Sequence, residues 1–228
     1  MDAAERVQDE MIAALGSIAA WKVGAAARSG REQMGLPRMF VGALPEYRVF
    51  QSGAVVRGPW EVTVGVESEY AYRFAHDLPA RPQPCAMETL TSAIGSVHAA
   101  FEIPASRFSG IGAHGGFALV ADNGSAGWLV VGEGKTVQDW RSLVDAPVDL
   151  WVAGERRASG SAAGIDGMPL DVVLDFVHIL HRRGYGIRAG QYVVTGSCTG
   201  YEQIPLDTSV RADFSALGQV SAVFTAHV

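Results

Sequence analysis

Two glutamates stand one residue apart in a run of β-branched and aromatic residues at positions 64–72. The run predicts a β-strand, and because strand side chains alternate between faces, Glu67 and Glu69 point to the same side. Apolar neighbours would bury both carboxylates, which is costly without a cation. Oxygen ligands suit Mg²⁺, Mn²⁺ or Ca²⁺ better than zinc or copper. An edge strand with a solvated acidic face is the alternative interpretation.

Two further charged residues lie in apolar surroundings. Glu102 is the single acid of a strand-like run at 99–108, and three acids can close one metal site. Lys22 is flanked by Trp21 and Val23, where a lysine must be either paired or functional. A buried lysine readily loses its proton and becomes a base.

The order of six short motifs along the chain resembles that of a known family. The chain reads W-K-V-G, G-L-P-x-x-F-x-G-x-L, E-x-E, E-I-x-x-S-R-F, A-D-N-x-S and A-G-Q-x-V-x-T-G-S. This order resembles the fumarylacetoacetate hydrolase superfamily, specifically its 2-keto-4-pentenoate hydratase and 4-oxalocrotonate decarboxylase branch. The resemblance runs from Trp21 to about Phe224.

The resemblance implies a fold, a cofactor and a set of site residues. The fold would be α+β, a mixed β-roll like the C-terminal domain of fumarylacetoacetate hydrolase with flanking helices, in ring-like homo-oligomers. Mg²⁺ or Mn²⁺ would be held at the mouth of the roll, and a 2-oxo or 2-enol acid would chelate it. The implied metal ligands are Glu67, Glu69 and Glu102, and the implied catalytic residue is Lys22.

The chemistry of a 2-oxo acid gives these residues roles. The cation would stabilise the enolate of the substrate, and Lys22, with its pKa lowered by burial and the cation, would shuttle protons. Water then adds at C4 of a 2-hydroxypenta-2,4-dienoate to give a 4-hydroxy-2-oxo acid. By motif position, Ser125 and Ser197 are expected to donate hydrogen bonds to the substrate carboxylate. Arg107 is expected to be a third substrate-binding residue, and its guanidinium either neutralises an acid in the site or pairs with Asp122.

Two positions depart from the pattern of the hydratases. Phe40 and Ala105 stand where acids are expected. Both replacements are apolar, so decarboxylation of the 4-oxalocrotonate type or acylpyruvate-type C–C hydrolysis on the same site stays open. The hydrolase would need a His-Glu water activator, and none is evident near Lys22. A non-catalytic oligomeric protein with structural acids is the third class.

Composition agrees with a metabolic enzyme of one domain. At 228 residues, 48% hydrophobic and 18% charged, the chain can bury a core over residues 1–228. The net charge of −6 and the scattered arginines argue against nucleic acid as a partner. No apolar run is long enough for a membrane span and the N-terminus lacks a basic start, so we expect a soluble cytoplasmic protein. Two cysteines are too few for a disulfide framework.

Hydrophobic periodicity predicts the elements of this domain. An N-terminal helix is expected within residues 1–20, with its apolar stripe over 3–18, and further helices over 86–98 and from Pro169 to a stop at Gly184. Strands are expected over 49–74, with breaks at Gly53, Gly58 and Gly65. Further strands are predicted over 117–132, 148–153, 191–195 and 209–224, the last with a turn at 217–218, and a small-residue loop over 158–167.

Overall fold

The computed structural model describes residues 1–165 and 168–227, which form an α+β structure. The helices in these residues are α1 (Asp2–Ala14), α2 (Arg28–Met34), α3 (Met87–Ala93), α4 (Gly116–Ala121) and α5 (Pro169–Arg182). The strands are β1 (Ile18–Gly24), β2 (Phe40–Pro45), β3 (Val49–Gln51), β4 (Ala54–Gly58), β5 (Thr63–Phe74), β6 (Ile94–Ile103), β7 (Trp128–Lys135), β8 (Val148–Val152), β9 (Glu155–Gly160), β10 (Tyr192–Val194), β11 (Tyr201–Pro205), β12 (Ser209–Asp213) and β13 (Gln219–Ala226). The predicted fold class is confirmed.

The strands form two curled sheets with helices at their flanks. The first sheet has the hydrogen-bonded order β2, β1, β10, β5, β6, β7, β3, and β11 pairs with the first half of β5. The second has the order β4, β13, β12, β8, β9. β5 and β6 lie at the centre of the first sheet, so their glutamates are not on a solvated edge strand.

Side chains of β5 divide between two packed layers because a strand alternates its faces. Tyr70 packs in the main hydrophobic core, and its hydroxyl donates to Leu143 O at 3.1 Å. On the opposite face, Ala71 packs with Ala20 and Ala100 in a second, smaller cluster. Glu67 and Glu69 lie on this second face, next to small side chains that leave room for the carboxylates.

The late helix was predicted most accurately. α5 begins at Pro169 and is followed by Gly184, whose φ of +80° is a backbone conformation that glycine adopts without strain. Val173, Phe176 and Val177 on its apolar side are fully buried, and Leu174 is partly buried. The strands predicted over 148–153 and 191–195 are confirmed by β8 and β10, and the predicted terminal hairpin is confirmed by the antiparallel pairing of β12 with β13.

Three helix and strand predictions were wrong in part. The opening helix ends at Ala14, because Gly16 with φ +78° breaks it and Ile18 already begins β1. The helix predicted over 86–98 ends at Ala93, and its last residues pair as β6 with β5. The apolar run from 117 is the helix α4 rather than a strand, since a short apolar run fits both and here packs as a helix against α1.

One predicted strand break and one predicted loop also differ from the structure. Gly65 lies inside β5, where the ring of Tyr201 occupies the space of a side chain: an added Cβ would lie 2.1 Å from the tyrosine hydroxyl. Part of the loop predicted over 158–167 is the end of β9 and a short 3-10 turn, and residues 166 and 167 of that loop lie outside the described residues. Within the described parts of the chain, no helix has the length and apolar character needed to cross a membrane.

Candidate metal centre

Antiparallel pairing of β5 with β6 brings the three predicted glutamates together. Glu67 lies directly opposite Glu102, and Glu69 is two residues further along the same face. One carboxylate oxygen of each lies within 4.8 Å of those of the other two. Glu69 and Glu102 are buried and Glu67 is half-buried. Acids from two different strands thus form one cluster.

Lys22 reaches the same cluster from β1. β1 pairs with β10, and β10 pairs with β5, so Lys22 lies in register with Val194 and Ala71. Its Nζ is buried and lies 3.7 Å from Glu102 Oε1. The ring centroid of Phe40 is 6.0 Å from the same nitrogen. Three carboxylates facing one ammonium leave two negative charges without a partner in the cluster.

Burial raises the pKa of all three carboxyl groups. For Glu69, burial is the largest cause, repulsion from Glu67 adds to it, and the pKa rises to about 8. For Glu102, burial raises the pKa well above its ordinary value although Lys22 opposes the change. The pKa of Glu67 is raised by burial as well. Negative charge on this cluster is therefore costly until a further cation compensates it.

Without a metal, the pKa of Lys22 is raised. Burial lowers the pKa of this ammonium, but attraction from Glu102, Glu67 and Glu69 outweighs burial. The predicted lowering applies to the cation-loaded site and stays a prediction. A divalent cation on these carboxylates would act in the opposite direction on the lysine.

A backbone donor that the sequence reasoning missed orients Glu69. The N–H of Gly196 donates to Glu69 Oε2 at 2.7 Å. Gly196 has φ +100°, which L side chains rarely adopt, so glycine is favoured at this turn. The T-G-S motif is the signal that marks this position, but only the fold shows which carboxylate it meets.

Asp122 fixes the loop that follows β6. Its carboxylate accepts from Ser106 Oγ at 2.7 Å and from Arg107 Nε at 2.6 Å. The Arg107 guanidinium also donates to the Asp122 carbonyl. Of the two roles left open for Arg107, the structure shows the pairing with Asp122. Its role in substrate binding stays a prediction without a contact to support it.

Asn123 and Ser125 give the A-D-N-x-S turn its place beside the site. The Asn123 side chain mimics a strand partner for β2: Oδ1 accepts from Ala43 N at 3.0 Å, and Nδ2 donates to Ala43 O at 2.8 Å. The Ser125 carbonyl accepts from Ala105 N at 2.8 Å. In the described structure the buried Ser125 hydroxyl has no hydrogen-bond partner. Ser125 is one of the residues that line the cavity beside the carboxylates.

A cavity of about 380 Å³ opens onto the cluster. Lys22, Glu67, Glu69, Ser125 and Ser197 line it, so five of the seven predicted site residues share one space. Glu102 lies beneath, fully buried, and the remaining residue is Arg107. The Ser197 hydroxyl donates to Gly200 O at 2.9 Å and would have to turn to meet a substrate.

Known proteins are similar to this chain in both sequence and fold. A 2-keto-4-pentenoate hydratase of Burkholderia vietnamiensis is 28% identical over 204 residues, covering 90% of this chain and 77% of that protein. A 4-oxalocrotonate decarboxylase of Pseudomonas putida is 26% identical over 203 residues, covering 89% and 76%. These relatives confirm the resemblance of the chain to the hydratase and decarboxylase branch of the fumarylacetoacetate hydrolase superfamily.

Solved structures share the fold of this chain. The 4-oxalocrotonate decarboxylase from Pseudomonas putida, complexed with magnesium and adipate, matches with a TM-score of 0.79 and 25% identity, covering 95% of this chain and 81% of that chain. Fumarylpyruvate hydrolase from Pseudomonas aeruginosa, in complex with Mn²⁺ and pyruvate, matches in fold, with a TM-score of 0.68 and 14% identity over 92% and 91%. No family model matches the chain.

The two departures from the hydratase pattern differ in position. Phe40 lines the cavity, and its ring fills the space of two absent side chains: an added Cβ at Gly24 would lie 2.1 Å from the ring, and one at Gly124 2.9 Å. Ala105 instead supports the Ser125 turn through its backbone N–H. Only the first replacement changes the wall of the cavity.

The residues present fit a divalent cation. Both carboxylate oxygens of Glu102 are buried without a hydrogen-bond partner in the described structure. The three glutamates supply oxygen donors alone, the set that hard cations such as Mg²⁺ and Mn²⁺ prefer. Tyr201, which the sequence reasoning missed, lines the cavity beside Glu67 and extends the polar side of the site.

Proposed function

We propose that the chain is a divalent-metal-dependent lyase acting on 2-oxo and 2-hydroxydienoic acids. Its reaction would be hydration of a 2-hydroxypenta-2,4-dienoate-type substrate to a 4-hydroxy-2-oxo acid. The observation that carries the proposal is the buried cluster of three carboxylates with one lysine at a cavity. The names of the relatives support the same class of reaction.

In this proposal Glu67, Glu69 and Glu102 hold Mg²⁺ or Mn²⁺. The bound cation supplies Lewis acidity toward the negative charge that develops on the 2-oxygen of the substrate. The Gly196 N–H keeps Glu69 in position through its 2.7 Å hydrogen bond. Because central strands carry all three carboxylates, their geometry is set by the sheet before substrate arrives.

Lys22 is proposed to move the proton. It lies inside the cavity and beside the carboxylate cluster. With the charge of the carboxylates compensated by a cation, Lys22 would accept the proton of the substrate's 2-hydroxyl group and deliver one to C5. The resulting 2-oxo-3-enoate accepts water across C3 and C4, with the hydroxyl at C4 and the proton at C3. Phe40 packs near the lysine and shields it from bulk solvent.

Ser125 and Ser197 are proposed to bind the substrate carboxylate. Ser125 is the stronger candidate, because it lines the cavity and its buried hydroxyl has no partner in the described structure. A buried hydroxyl without a partner is unfavourable, so a carboxylate that accepts its hydrogen bond removes a cost as well as adding a contact. Ser197 offers a second hydroxyl at the opposite loop.

Decarboxylation of a 4-oxalocrotonate-type acid is the second candidate. Two observations favour keeping it: the decarboxylase relative is nearly as similar as the hydratase relative, and Phe40 and Ala105 replace expected acids. Both reactions use a 2-oxo acid whose negative charge is stabilised at the 2-oxygen. The carboxylate cluster alone therefore does not distinguish them.

The test is a comparison of two substrates on one preparation. Purified protein with Mg²⁺ or Mn²⁺ is mixed with 2-hydroxypenta-2,4-dienoate, and loss of its ultraviolet absorption is followed with a chelator as the control. Mass spectrometry should show addition of one water. Release of CO₂ from 4-oxalocrotonate without hydration of the dienoate would replace the hydratase by the decarboxylase, and absence of metal-dependent turnover of both would contradict the proposal.

A further inference from the structure

Away from Lys22, the carboxylates and the serines, the wall of the cavity is mostly apolar. Residues of β1, α2, β2 and α4 contribute to it, and Ile111 joins it from the loop after β6. The large apolar residues that line it include Met34, Phe40, Ile111, Leu119 and Ile165. A substrate held by its carboxylate and 2-oxygen at the glutamates would extend its chain toward these residues.

This wall offers no free cation to a second carboxylate. Among the described residues that line the cavity, Lys22 is the only cation, and Glu102 already faces it at 3.7 Å. Arg31 lies nearby, but its guanidinium donates to the carbonyls of Ala25 and Ala26, which belong to the wall. A carboxylate at the far end of a substrate would therefore lie against hydrocarbon without a free cation to pair with.

The ring of Phe40 packs against several other residues at the apolar wall. It occupies space that side chains at Gly24 and Gly124 would need. The ring also packs in a small cluster with Leu119 of the wall and with Leu36. A residue with a charged end at position 40 would lose that packing and bury its charge, which is unfavourable. An uncharged side chain is therefore favoured at this position.

Building on the function proposed above, we propose that the chain selects 2-oxo acids whose far end is uncharged and apolar over those that carry a second carboxylate. Burying an unpaired carboxylate is strongly unfavourable, whereas each buried methylene contributes a roughly fourfold gain in affinity. The cavity of about 380 Å³ accommodates only a short tail. The related decarboxylase was solved with adipate, a dicarboxylate, so the two proteins are expected to differ in this preference.

Binding of three unreactive acids tests the inference. Calorimetry on the Mn²⁺-loaded protein compares pyruvate, 2-oxohexanoate and 2-oxoadipate; the last two have the same carbon chain and differ only in a terminal methyl or carboxylate. We expect 2-oxohexanoate to bind roughly tenfold or more tightly than either of the others. Equal or tighter binding of 2-oxoadipate would overturn the inference. Absence of binding by all three would remove the proposed function and this inference with it.

A matched pair of variants locates the preference in the wall. Ile111 and Phe108 lie in the same loop and are similarly exposed, at 44% and 45%, but only Ile111 lines this cavity. Ile111→Lys should shift the preference toward 2-oxoadipate by roughly tenfold, the typical effect of pairing an otherwise unpaired charge. Phe108→Lys should leave the ratio unchanged. Equal effects of both, or of neither, would reject the assignment of the preference to this wall.

Discussion

Replacing Glu69 by glutamine removes one negative charge from the carboxylate cluster and keeps its shape. The amide oxygen can still accept the hydrogen bond from Gly196 N, which is 2.7 Å long in the parent chain. The carboxyl group of Glu69 is buried, and burial followed by repulsion from Glu67 raises its pKa from 4.5 to about 8. The charge is therefore unfavourable in the folded protein at neutral pH.

The magnitude follows from linkage between proton binding and folding. Because the folded-state pKa is above the unfolded one, the contribution of Glu69 to stability is fully present below pH 4.5 and is lost as the pH rises to about 8. The interval corresponds to about 5 kcal/mol at ~1.36 kcal/mol per pH unit, an upper limit because the neighbouring carboxyls share the same protons. We expect Glu69→Gln to raise the free energy of unfolding at pH 8 by about 2–5 kcal/mol, and at pH 5 by less than about 1 kcal/mol.

Urea unfolding with a chelator present measures this difference at the two pH values. The matched control is Glu133→Gln, which replaces an exposed glutamate on β7 and should change the free energy of unfolding little. Added Mn²⁺ should stabilise the parent protein and the control at pH 8 but not Glu69→Gln. A Glu69→Gln protein that is less stable than the parent at pH 8 without metal, or that keeps its stabilisation by Mn²⁺, would refute the electrostatic argument.

Three further predictions follow from the site. Lys22→Met should keep folding and Mn²⁺ affinity while lowering turnover of a 2-hydroxydienoate by roughly 10²–10⁴-fold. Lys22→Arg should not restore turnover, because guanidinium retains its proton. Near-normal turnover of Lys22→Met with a lowered Tm would reject Lys22 as the base. Ser125→Ala should weaken pyruvate binding to the Mn²⁺-loaded protein by roughly tenfold without lowering the Tm, since the hydroxyl has no partner in the described structure; unchanged affinity in calorimetry would remove its proposed role. Light scattering at micromolar concentration should show a homo-oligomer, and a monomer would contradict the assembly that the family resemblance implies.

Local periodicity predicted the parts of the fold that depend on neighbouring residues. The alternation around Glu67 and Glu69 gave a strand with both acids on one face, because the period of two holds in any sheet. Pro169 and Gly184 gave the limits of α5 for equally local reasons. Local periodicity gave the wrong element for the apolar run at 117–121, because the helical form of this run depends on packing against α1 and the turn at Asn123.

Long-range pairing carried the information that local patterns lack. The opposition of Glu67 and Glu102 depends on the register of β5 with β6, which no pattern within either strand specifies. The raised pKa of Lys22 depends on the sum of carboxylates from two other strands. For the same reason the sequence could list both roles for Arg107 but could not choose the contact with Asp122 that the fold shows.

The most direct test of the account is the position of the metal. Anomalous scattering from crystals grown with Mn²⁺ and pyruvate locates the ion without reference to activity. The account predicts a peak at roughly 2.0–2.3 Å from carboxylate oxygens of Glu67, Glu69 and Glu102, the distances usual for divalent cations and oxygen ligands, with pyruvate against it. A peak away from these carboxylates would contradict the central claim. So would a structure in which Lys22 pairs with the three glutamates and Mn²⁺ is bound elsewhere.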